Sequence, residues 1–313
     1  MRFGPLRFRP IAKPRVWGGR RLEALLGREL PGSDPVGESW DLVDLPEGQS
    51  EVVGGPLAGA TLHELVVRHP HEILGRAALA RGRFPLLIKA LDAHRMLSVQ
   101  VHPDGEAVRR MGGAARPKTE AWFVVHADPG ATLYAGVREG TTREAFAAAL
   151  EEGKVEALLH RIAVAPGMAL LLEAGTVHAL GAGIVLIEVQ QASDTTYRVH
   201  DWGRMGLDGR PRELHVEQAL ESIRFDRPPP APARRGRVSC NAFVAAWRRD
   251  AGRSAEAPAD VPRVLIATSD GALTDAQGRS EPLRAGDAVL LPAACGAVAV
   301  EGADYVRVEL PAG

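Results

Sequence analysis

Cysteine is scarce in this chain of 313 residues, which contains Cys240 and Cys295 and no other cysteine. The two residues lie far apart and outside any Cys-x-x-Cys spacing. This usage argues against a disulfide framework and against a zinc site made of thiolates. It is typical of a protein in a reducing compartment.

Long apolar runs and a surplus of one charge are also lacking. No stretch is long enough to span a bilayer, and the N-terminus lacks the apolar run of a signal peptide, so we expect a cytoplasmic protein. The formal net charge of −1 gives no electrostatic reason to expect nucleic acid or an anionic membrane as a partner. Lysine is scarce and arginine is abundant but scattered, which we interpret as genome composition and not as a binding surface.

The chain does have the composition of a globular protein, with 45% hydrophobic and 25% charged residues. Its length suggests one large or two ordinary domains. The proline-rich stretch 227–237 is interpreted as a stiff linker. We therefore divide the chain into a larger region at 1–226, this linker, and a small C-terminal β domain at 238–313.

The stretch 96–104 alternates apolar and polar residues in an unusual way. Side chains alternate between the two faces of a strand, so Ser98, Gln100 and His102 share one face and Leu and Val residues take the other. Such a polar face fits a strand that lines a site. An imidazole with an amide two residues away can serve a metal, whereas a hydrogen-bonded strand histidine is the structural alternative.

Other elements are predicted from periodicity and from capping and turn signals. Capping-box spacings at 61–64 and 141–144 predict two helix starts. The predicted helices are 61–70, 71–80, 141–152, 155–160 and 212–223. The predicted strands are 36–42, with Glu38 and Trp40 on one face, then 84–91, 120–126, 168–172 and 184–191.

A weak internal repeat links the two ends of the chain. The segment 165–175 resembles 284–294, and each has the pattern of a turn, a buried strand and a second turn. Carrying the same offset forward puts Ala297 where the first copy has His178. The second copy could therefore keep the fold while lacking that imidazole.

Four polar side chains on or next to these predicted strands are candidates for one site: Gln100, His102, Glu120 and His178. Two histidines and a carboxylate can make a catalytic zinc site with an open position, or a facial iron site. Gln100 could add a neutral oxygen. Barrel strands can bring residues this distant in sequence to one point, although separate structural roles remain the alternative on spacing alone.

Several segments, in this order, resemble those of the short bacterial form of the type I mannose-6-phosphate isomerase family. They span Lys13 to about Arg204, and the match is weaker in the C-terminal part. The segments are 13–19 (KPRVWGG), 37–40 (GESW), 97–104 (LSVQVHPD), 118–122 (KTEAW), 175–180 (GTVHAL) and 188–198 (EVQQASDTTYR).

This resemblance implies a mainly β fold. It consists of a cupin-type antiparallel β-barrel with helical insertions, followed by a second, degenerate cupin-like β domain. The region 1–226 is then the catalytic cupin domain, and 238–313 is the domain without metal ligands. The implied activity interconverts D-mannose 6-phosphate and D-fructose 6-phosphate through a zinc-stabilised cis-enediol. The partner is thus a small phosphorylated sugar, with no prediction of oligomeric state.

The resemblance also implies roles for particular residues. One Zn²⁺ per chain would be bound by His102, Glu120 and His178, with Gln100 as the fourth ligand. Arg198 would be the active-site arginine. Lys118 and Ser98 would contact the substrate, and Glu38 would lie near the pocket as a further substrate-binding residue.

One position departs from the family. Longer members carry a lysine six residues after the arginine, where this chain has Arg204. Arginine cannot readily act as a proton-transfer base, so no base is identified there, and Glu38 is considered as a guess. A non-heme iron cupin oxygenase and a non-catalytic sugar-binding cupin stay open as alternative functions.

Overall fold

The computed structural model describes residues 3–249 and 252–313. Strands dominate it, and short helices lie between them. The strands up to residue 226 are β1 (Leu6–Arg7), β2 (Ile11–Gly19), β3 (Val36–Leu42), β4 (Asp44–Leu45), β5 (Gly48–Gln49), β6 (Leu86–Ala93), β7 (Val99–Val101), β8 (Glu120–Ala127), β9 (Thr132–Val137), β10 (Leu159–Ala163), β11 (Ala169–Leu172), β12 (His178–Ala179), β13 (Ile184–Gln191) and β14 (Tyr197–His200). The later strands are β15 (Arg237–Ser239), β16 (Val244–Arg248), β17 (Arg253–Glu256), β18 (Arg263–Ala267), β19 (Gly271–Thr274), β20 (Ser280–Leu283), β21 (Ala288–Leu291), β22 (Val298–Glu301) and β23 (Tyr305–Glu309).

The helices are short. They are α1 (Arg21–Leu26), α2 (Leu62–Arg68), α3 (Pro70–Leu74), α4 (Gly105–Met111), α5 (Arg143–Glu151) and α6 (Val216–Ser222), with 3₁₀ turns at Val155–Leu158 and Arg234–Gly236. Among the described residues, no helix is long and apolar enough to cross a membrane.

The capping box predicted for α2 is confirmed, because the Thr61 hydroxyl accepts from the Glu64 amide and the Glu64 carboxylate accepts from the Thr61 amide. The second box is wrong by one residue. The N-cap of α5 is Thr142, whose hydroxyl accepts from the Ala145 amide. The box pattern fits only Thr141, which has Glu144 three residues later, whereas the residue three after the observed N-cap is Ala145.

Three predicted helices are too long. The one predicted at 155–160 is a 3₁₀ turn that ends at Leu158, and β10 begins at Leu159. The helix predicted at 71–80 ends at Leu74, because Gly75 turns with a positive φ and the next amide, Arg76, donates to the carbonyl of Asp260. The helix predicted at 212–223 begins at Val216. The residues before it form a loop, in which the Arg212 guanidinium pairs with Asp201.

Two sheets enclose the interior of the first barrel. Their strand orders are β11-β8-β13-β6-β3-β2 and β10-β9-β12-β7-β14, and each recorded pairing is antiparallel. Trp122, Leu186 and Leu133 are among the side chains that pack between these sheets. This agrees with the predicted cupin-type barrel with helical insertions.

The C-terminal part repeats the arrangement on a smaller scale, with strand orders β1-β21-β18-β23-β16-β15 and β17-β22-β19-β20. β1 comes from the N-terminus, so the chain begins in the second barrel's sheet. One hydrophobic core joins the two barrels, since Phe8 and Phe123 pack in the same cluster as Phe243 and Val306. The proposed boundaries at 226 and 238 remain predictions.

The predicted repeat agrees with the register of the strands. In the first barrel Leu172 of β11 lies opposite Glu120 of β8, and in the second Leu291 of β21 lies opposite Arg263 of β18. Gly167 and Gly286 both adopt positive φ in the turns before β11 and β21. Arg263 therefore occupies the position in the second barrel that Glu120 occupies in the first.

Candidate metal centre and adjoining pocket

Three of the predicted site residues converge at the interior of the first barrel. His102 follows the end of β7, Glu120 begins β8 and His178 begins β12. Their ligand-type atoms all lie within 4.8 Å of one another. His102 Nε2 is 3.2 Å from one Glu120 oxygen and His178 Nε2 is 3.3 Å from the other, and all three residues are at most 2% exposed.

Main-chain carbonyls fix how the two imidazoles point. The Nδ1 atom of His102 lies 2.8 Å from the carbonyl oxygen of Thr195, and that of His178 lies 2.9 Å from the carbonyl oxygen of Thr176. A carbonyl can only accept, so each Nδ1 carries the proton and each Nε2 presents a lone pair to Glu120. Histidines that bind a metal commonly donate their other ring N–H to a carbonyl in this way.

The polar atoms at the centre of this cluster lack hydrogen-bond partners within residues 3–249 and 252–313. His102 Nε2 and both oxygens of Glu120 are buried in that state. Lys118 Nζ forms an ion pair with one Glu120 oxygen at 2.9 Å, but no hydrogen bond of good geometry from the described residues satisfies the three atoms. Buried unsatisfied polar atoms are costly, so this group calls for a ligand that accepts their lone pairs. The donor set therefore fits a metal ion.

Electrostatics favours the protonation states that a metal needs. Burial first, and then the charge of Lys118, lower the pKa of His102 to about 3, so the imidazole is neutral. Burial raises the pKa of Glu120, but the charge of Lys118, whose Nζ is 2.9 Å from the carboxylate, outweighs this and holds the pKa well below its usual value.

Gln100 lies beside the cluster, with its amide nitrogen 3.3 Å from His178 Nε2 and its amide oxygen 3.4 Å from the Ser98 hydroxyl. A half-turn of the amide would direct the oxygen to His178 instead. The strand predicted at 96–104 is shorter than expected, because only 99–101 form β7. Its polar face nevertheless faces the site, as predicted.

A buried charge network forms one wall of the pocket. Lys89 Nζ lies 3.7 Å from the Glu38 carboxylate and 3.3 Å from that of Glu188. The indoles of Trp40 and Trp122 donate to Glu38 and Glu188 at 2.7 and 3.0 Å. Burial raises the pKa of Glu38, but Lys89 and Arg15 outweigh this and lower it to about 2.

Lys89 and Glu188 were not identified from the sequence as site residues. They lie in the mostly apolar strands β6 and β13, at positions that lie opposite each other in register. A charged residue within a strand that is otherwise rich in apolar residues was the available signal, because charged residues are rarely buried without a partner.

Arginines also line the pocket. Arg198 lies opposite Gln100 in the β14–β7 register, and its Nε donates to the Ser98 hydroxyl at 3.2 Å. Burial and the neighbouring Arg212 lower the pKa of Arg198. Arg204 borders an adjoining hollow instead, and its guanidinium pairs with Asp201 and donates to the Met96 carbonyl.

A cavity of about 600 Å³ connects these groups, which is within the range of about 300–1,000 Å³ for small-molecule sites. The predicted residues that line it are Glu38, Ser98, Gln100, Lys118, His178 and Arg198. His102 and Glu120 are buried next to it. Asp194 and Arg212 also line it, and neither was singled out from the sequence. The structure thus brings all the predicted site residues to one pocket, and their roles remain predictions.

The fold and the cluster together define a cupin-type barrel protein whose His-Glu-His set could hold a metal ion. The family described as phosphomannose isomerase type I, catalytic domain, matches residues 6–119. The mannose-6-phosphate isomerase ManA of Bacillus subtilis is 36% identical and aligns over 95% of this chain and 96% of its own. The chain belongs to the type I phosphomannose isomerase family.

Two further relatives agree. A probable mannose-6-phosphate isomerase of Bacillus subtilis, GmuF, is 41% identical over 70% of this chain and 68% of its own. The crystal structure of mannose 6-phosphate isomerase from Bacillus subtilis superimposes with a TM-score of 0.88 at 30% identity, covering 99% of this chain and 100% of that chain.

Proposed function

We propose that the protein is a zinc-dependent mannose-6-phosphate isomerase that interconverts D-mannose 6-phosphate and D-fructose 6-phosphate. The observation that carries the proposal is the buried His102–Glu120–His178 cluster, whose ligand-type atoms lie within 4.8 Å of one another beside a pocket that Arg198 and Arg212 also line. Relatives that cover most of the chain carry the same activity in their names. That pocket chemistry suits a phosphorylated sugar.

One Zn²⁺ per chain would be bound by His102, Glu120 and His178, with Gln100 as a fourth ligand after its amide turns. Two imidazoles and a carboxylate are a ligand set used by catalytic zinc. When bound, the ion would polarise the substrate oxygens near the carbon that loses its proton. Lys118 would contact the substrate beside the cluster, since it lines the pocket and pairs with Glu120.

The reaction moves a proton between C1 and C2 of the sugar through an enediol, so it needs a base that can release what it takes up. Glu38 is poorly suited to this role, because its pKa of about 2 and its contacts with Arg15, Lys89 and Trp40 keep it ionised. Asp194 lines the pocket and makes no side-chain ion pair or hydrogen bond among the described residues. We assign the base role to Asp194.

The first experiment combines metal analysis with a coupled assay of mannose 6-phosphate conversion. We expect about one zinc per chain in the purified protein, and His178→Ala should lose both zinc and activity. His126→Ala is the matched control, because His126 is only partly buried and pairs with Asp128 away from the pocket. Full turnover by metal-free His178→Ala would overturn the proposal.

The same preparation separates the alternative functions. Oxygen uptake with iron bound would favour a cupin oxygenase. Binding of fructose 6-phosphate without any turnover would favour a non-catalytic sugar-binding cupin.

A second experiment addresses the base. Asp194→Asn should lower kcat by roughly 10²- to 10⁴-fold, the usual contribution of a general base, while the zinc content stays unchanged. Asp226→Asn, at an exposed site away from the pocket, is the control. If Asp194→Asn retains the wild-type kcat, the base is another group.

A further inference from the structure

The loop 201–215 between β14 and α6 borders the mouth of the pocket. Gly206, Leu207, Arg212 and His215 line the cavity, and a bridge between Met205 and Pro211 closes the loop on itself. The loop exposes three large apolar side chains, Met205 at 55%, Leu207 at 64% and Leu214 at 48%. The loop 201–215 therefore lies at the pocket entrance and is not packed into the hydrophobic core.

Asp201 ties the two arms of this loop together. Its buried carboxylate accepts from Arg204 on the outgoing arm at 2.5 Å. It also accepts two hydrogen bonds from Arg212 on the returning arm, from Nε and Nη2, both at 2.6 Å. This two-point contact fixes the plane of the Arg212 guanidinium and leaves Nη1 without a hydrogen bond among the described residues.

Arg198 lines the same pocket near Arg212, and it has no carboxylate partner in the described part of the chain. Its Nε donates to Ser98 and its Nη1 donates to the carbonyl of Glu213, at 3.2 and 2.9 Å, so Nη2 remains available. Arg204 and Arg212 thus share the buried carboxylate of Asp201, and Arg198 makes no ion pair with it. Asp208 is also on the loop, but it is exposed and its carboxylate accepts from the Arg210 amide.

Two adjacent guanidinium groups that line one cavity repel each other unless an anion lies between them. A phosphate monoester carries about −1.5 to −2 charges at pH 7 and has three acceptor oxygens. Two guanidinium groups, each with paired N–H donors, can bind such an anion. We propose that Arg212 binds the substrate's phosphate together with Arg198, and that Asp201 is the positioning residue for Arg212. This inference rests on the proposed function, because it takes the substrate to be a sugar phosphate.

The placement also orients the sugar. A row of contacts leads from Arg198 to Ser98 at 3.2 Å, on to Gln100 at 3.4 Å, and on to His178 at 3.3 Å. Arg198 and the candidate metal ligands therefore lie at opposite ends of this row of side chains. The phosphate on C6 would then lie at the loop, and C1 and C2 would lie at the cluster. A sugar without phosphate would lose the loop contacts but keep those at the cluster.

The test compares Arg212→Gln with Arg210→Gln in the zinc-loaded protein. Arg210 lies two residues away on the same loop and is exposed, so its substitution makes the same charge change outside the pocket. Calorimetry would measure binding of fructose 6-phosphate, inorganic phosphate and fructose. For Arg212→Gln we expect Kd for fructose 6-phosphate to rise roughly 10- to 100-fold, the usual effect of losing a charge-assisted hydrogen bond. Fructose affinity and zinc content should not change.

Two further variants keep the test decisive. Arg212→Lys retains the charge but not the fork, so it should show a smaller rise in Kd. Asp201→Asn should weaken binding of inorganic phosphate more than binding of fructose, because only the phosphate contact depends on the orientation of Arg212. A purely structural role would lower both affinities equally.

The inference is overturned if Arg212→Gln and Arg212→Lys both bind fructose 6-phosphate as the wild type does, or if fructose affinity falls by the same factor. If either result is found while the wild type converts mannose 6-phosphate, only the role of the loop is contradicted, and the proposed function stands. Wild-type protein that neither binds nor converts a sugar phosphate would contradict the proposed function itself.

Discussion

A main-chain carbonyl orients each imidazole of the cluster, that of the distant Thr195 for His102 and that of Thr176, two residues earlier, for His178. These contacts set the tautomer before any ligand arrives, so the lone pairs already point at Glu120. A preorganised set of this kind binds a metal without the cost of turning its ligands. Gln100, in contrast, must rotate its amide to contribute an oxygen.

This difference predicts unequal effects of substitution on zinc binding. Gln100→Ala should weaken zinc binding by roughly 10- to 100-fold, as loss of a supporting residue does, whereas His178→Ala should abolish it. Competition with a chromogenic chelator measures both. Zinc affinity that is the same for Gln100→Ala and the wild type would show that the amide is not a ligand.

A second prediction at this scale concerns Glu38 and acid stability. Its folded pKa of about 2 lies below the ordinary value of 4.5, so the ionised form stabilises the fold at neutral pH. That stabilisation is complete above pH 4.5 and is lost as the pH falls toward 2. A shift of this size corresponds to about 3 kcal/mol of unfolding free energy.

Urea unfolding of the wild type and of Glu38→Gln at a series of pH values measures this contribution. The difference between the two should be constant from pH 7 to about pH 5 and should shrink by roughly 3 kcal/mol by pH 2. Glu139→Gln, at an exposed position, should show no such trend. A difference that shrinks above pH 5 would contradict the assignment to Glu38.

At the scale of single elements, β2 and β3 show why glycine is needed in the motif segments 13–19 and 37–40. A Cβ on Gly37 would lie 2.6 Å from the Cβ of Arg15 and 2.7 Å from the ring of Trp17. Real atoms do not approach so closely, so the strands would have to separate. Arg15 would move with them, and it is the residue that pairs with Glu38 at 2.8 Å.

Gly37→Ala should therefore destabilise the protein by about 1–3 kcal/mol, the usual effect of overpacking a core position. Gly4→Ala is the control, because a Cβ there meets no atom within 4 Å. The midpoint of chemical unfolding measures both variants. Equal midpoints would mean that the two strands can separate without loss.

The elements also show how far the sequence could lead. Strands β3 and β13 agree with the predictions at 36–42 and 184–191, because their apolar patterns are local. The ends of α3 and α6 were wrong because distant partners set them, Asp260 for the first and Asp201 for the second. The pairing of Lys89 with Glu188 depends on strand register, and a single sequence does not specify register between distant strands.

At the scale of the whole molecule, the two barrels have side chains of opposite charge at the equivalent strand position. The first has the carboxylate of Glu120 there, in a cluster that could hold a cation. The second has the guanidinium of Arg263, which is 1% exposed and lies 3.4 Å from Glu256. Glu256 also accepts from Arg307 at 2.8 Å and from the Tyr305 hydroxyl at 3.0 Å. The interior of the second barrel thus contains a buried arginine that is paired with a carboxylate.

This arrangement predicts that Glu256 is important for stability although it lies outside the pocket. Glu256→Gln would leave Arg263 and Arg307 beside a neutral amide, and Arg263 is fully buried. Breaking a buried ion pair in this way typically lowers the free energy of unfolding by about 3–5 kcal/mol. Glu301→Gln removes a surface partner of Arg253 in the same barrel and should cost at most about 1 kcal/mol. Because one core joins the barrels, the loss should also lower the urea concentration at which isomerase activity disappears.

The double variant Glu256→Gln with Arg263→Met separates charge from packing, because it removes the uncompensated cation and keeps a long apolar side chain. It should recover part of the stability that Glu256→Gln loses, as urea unfolding would measure. If the double variant is no more stable than Glu256→Gln, the buried cation is not the source of the loss. If activity survives to the wild-type urea concentration while the second barrel unfolds, the two barrels are independent despite their common core.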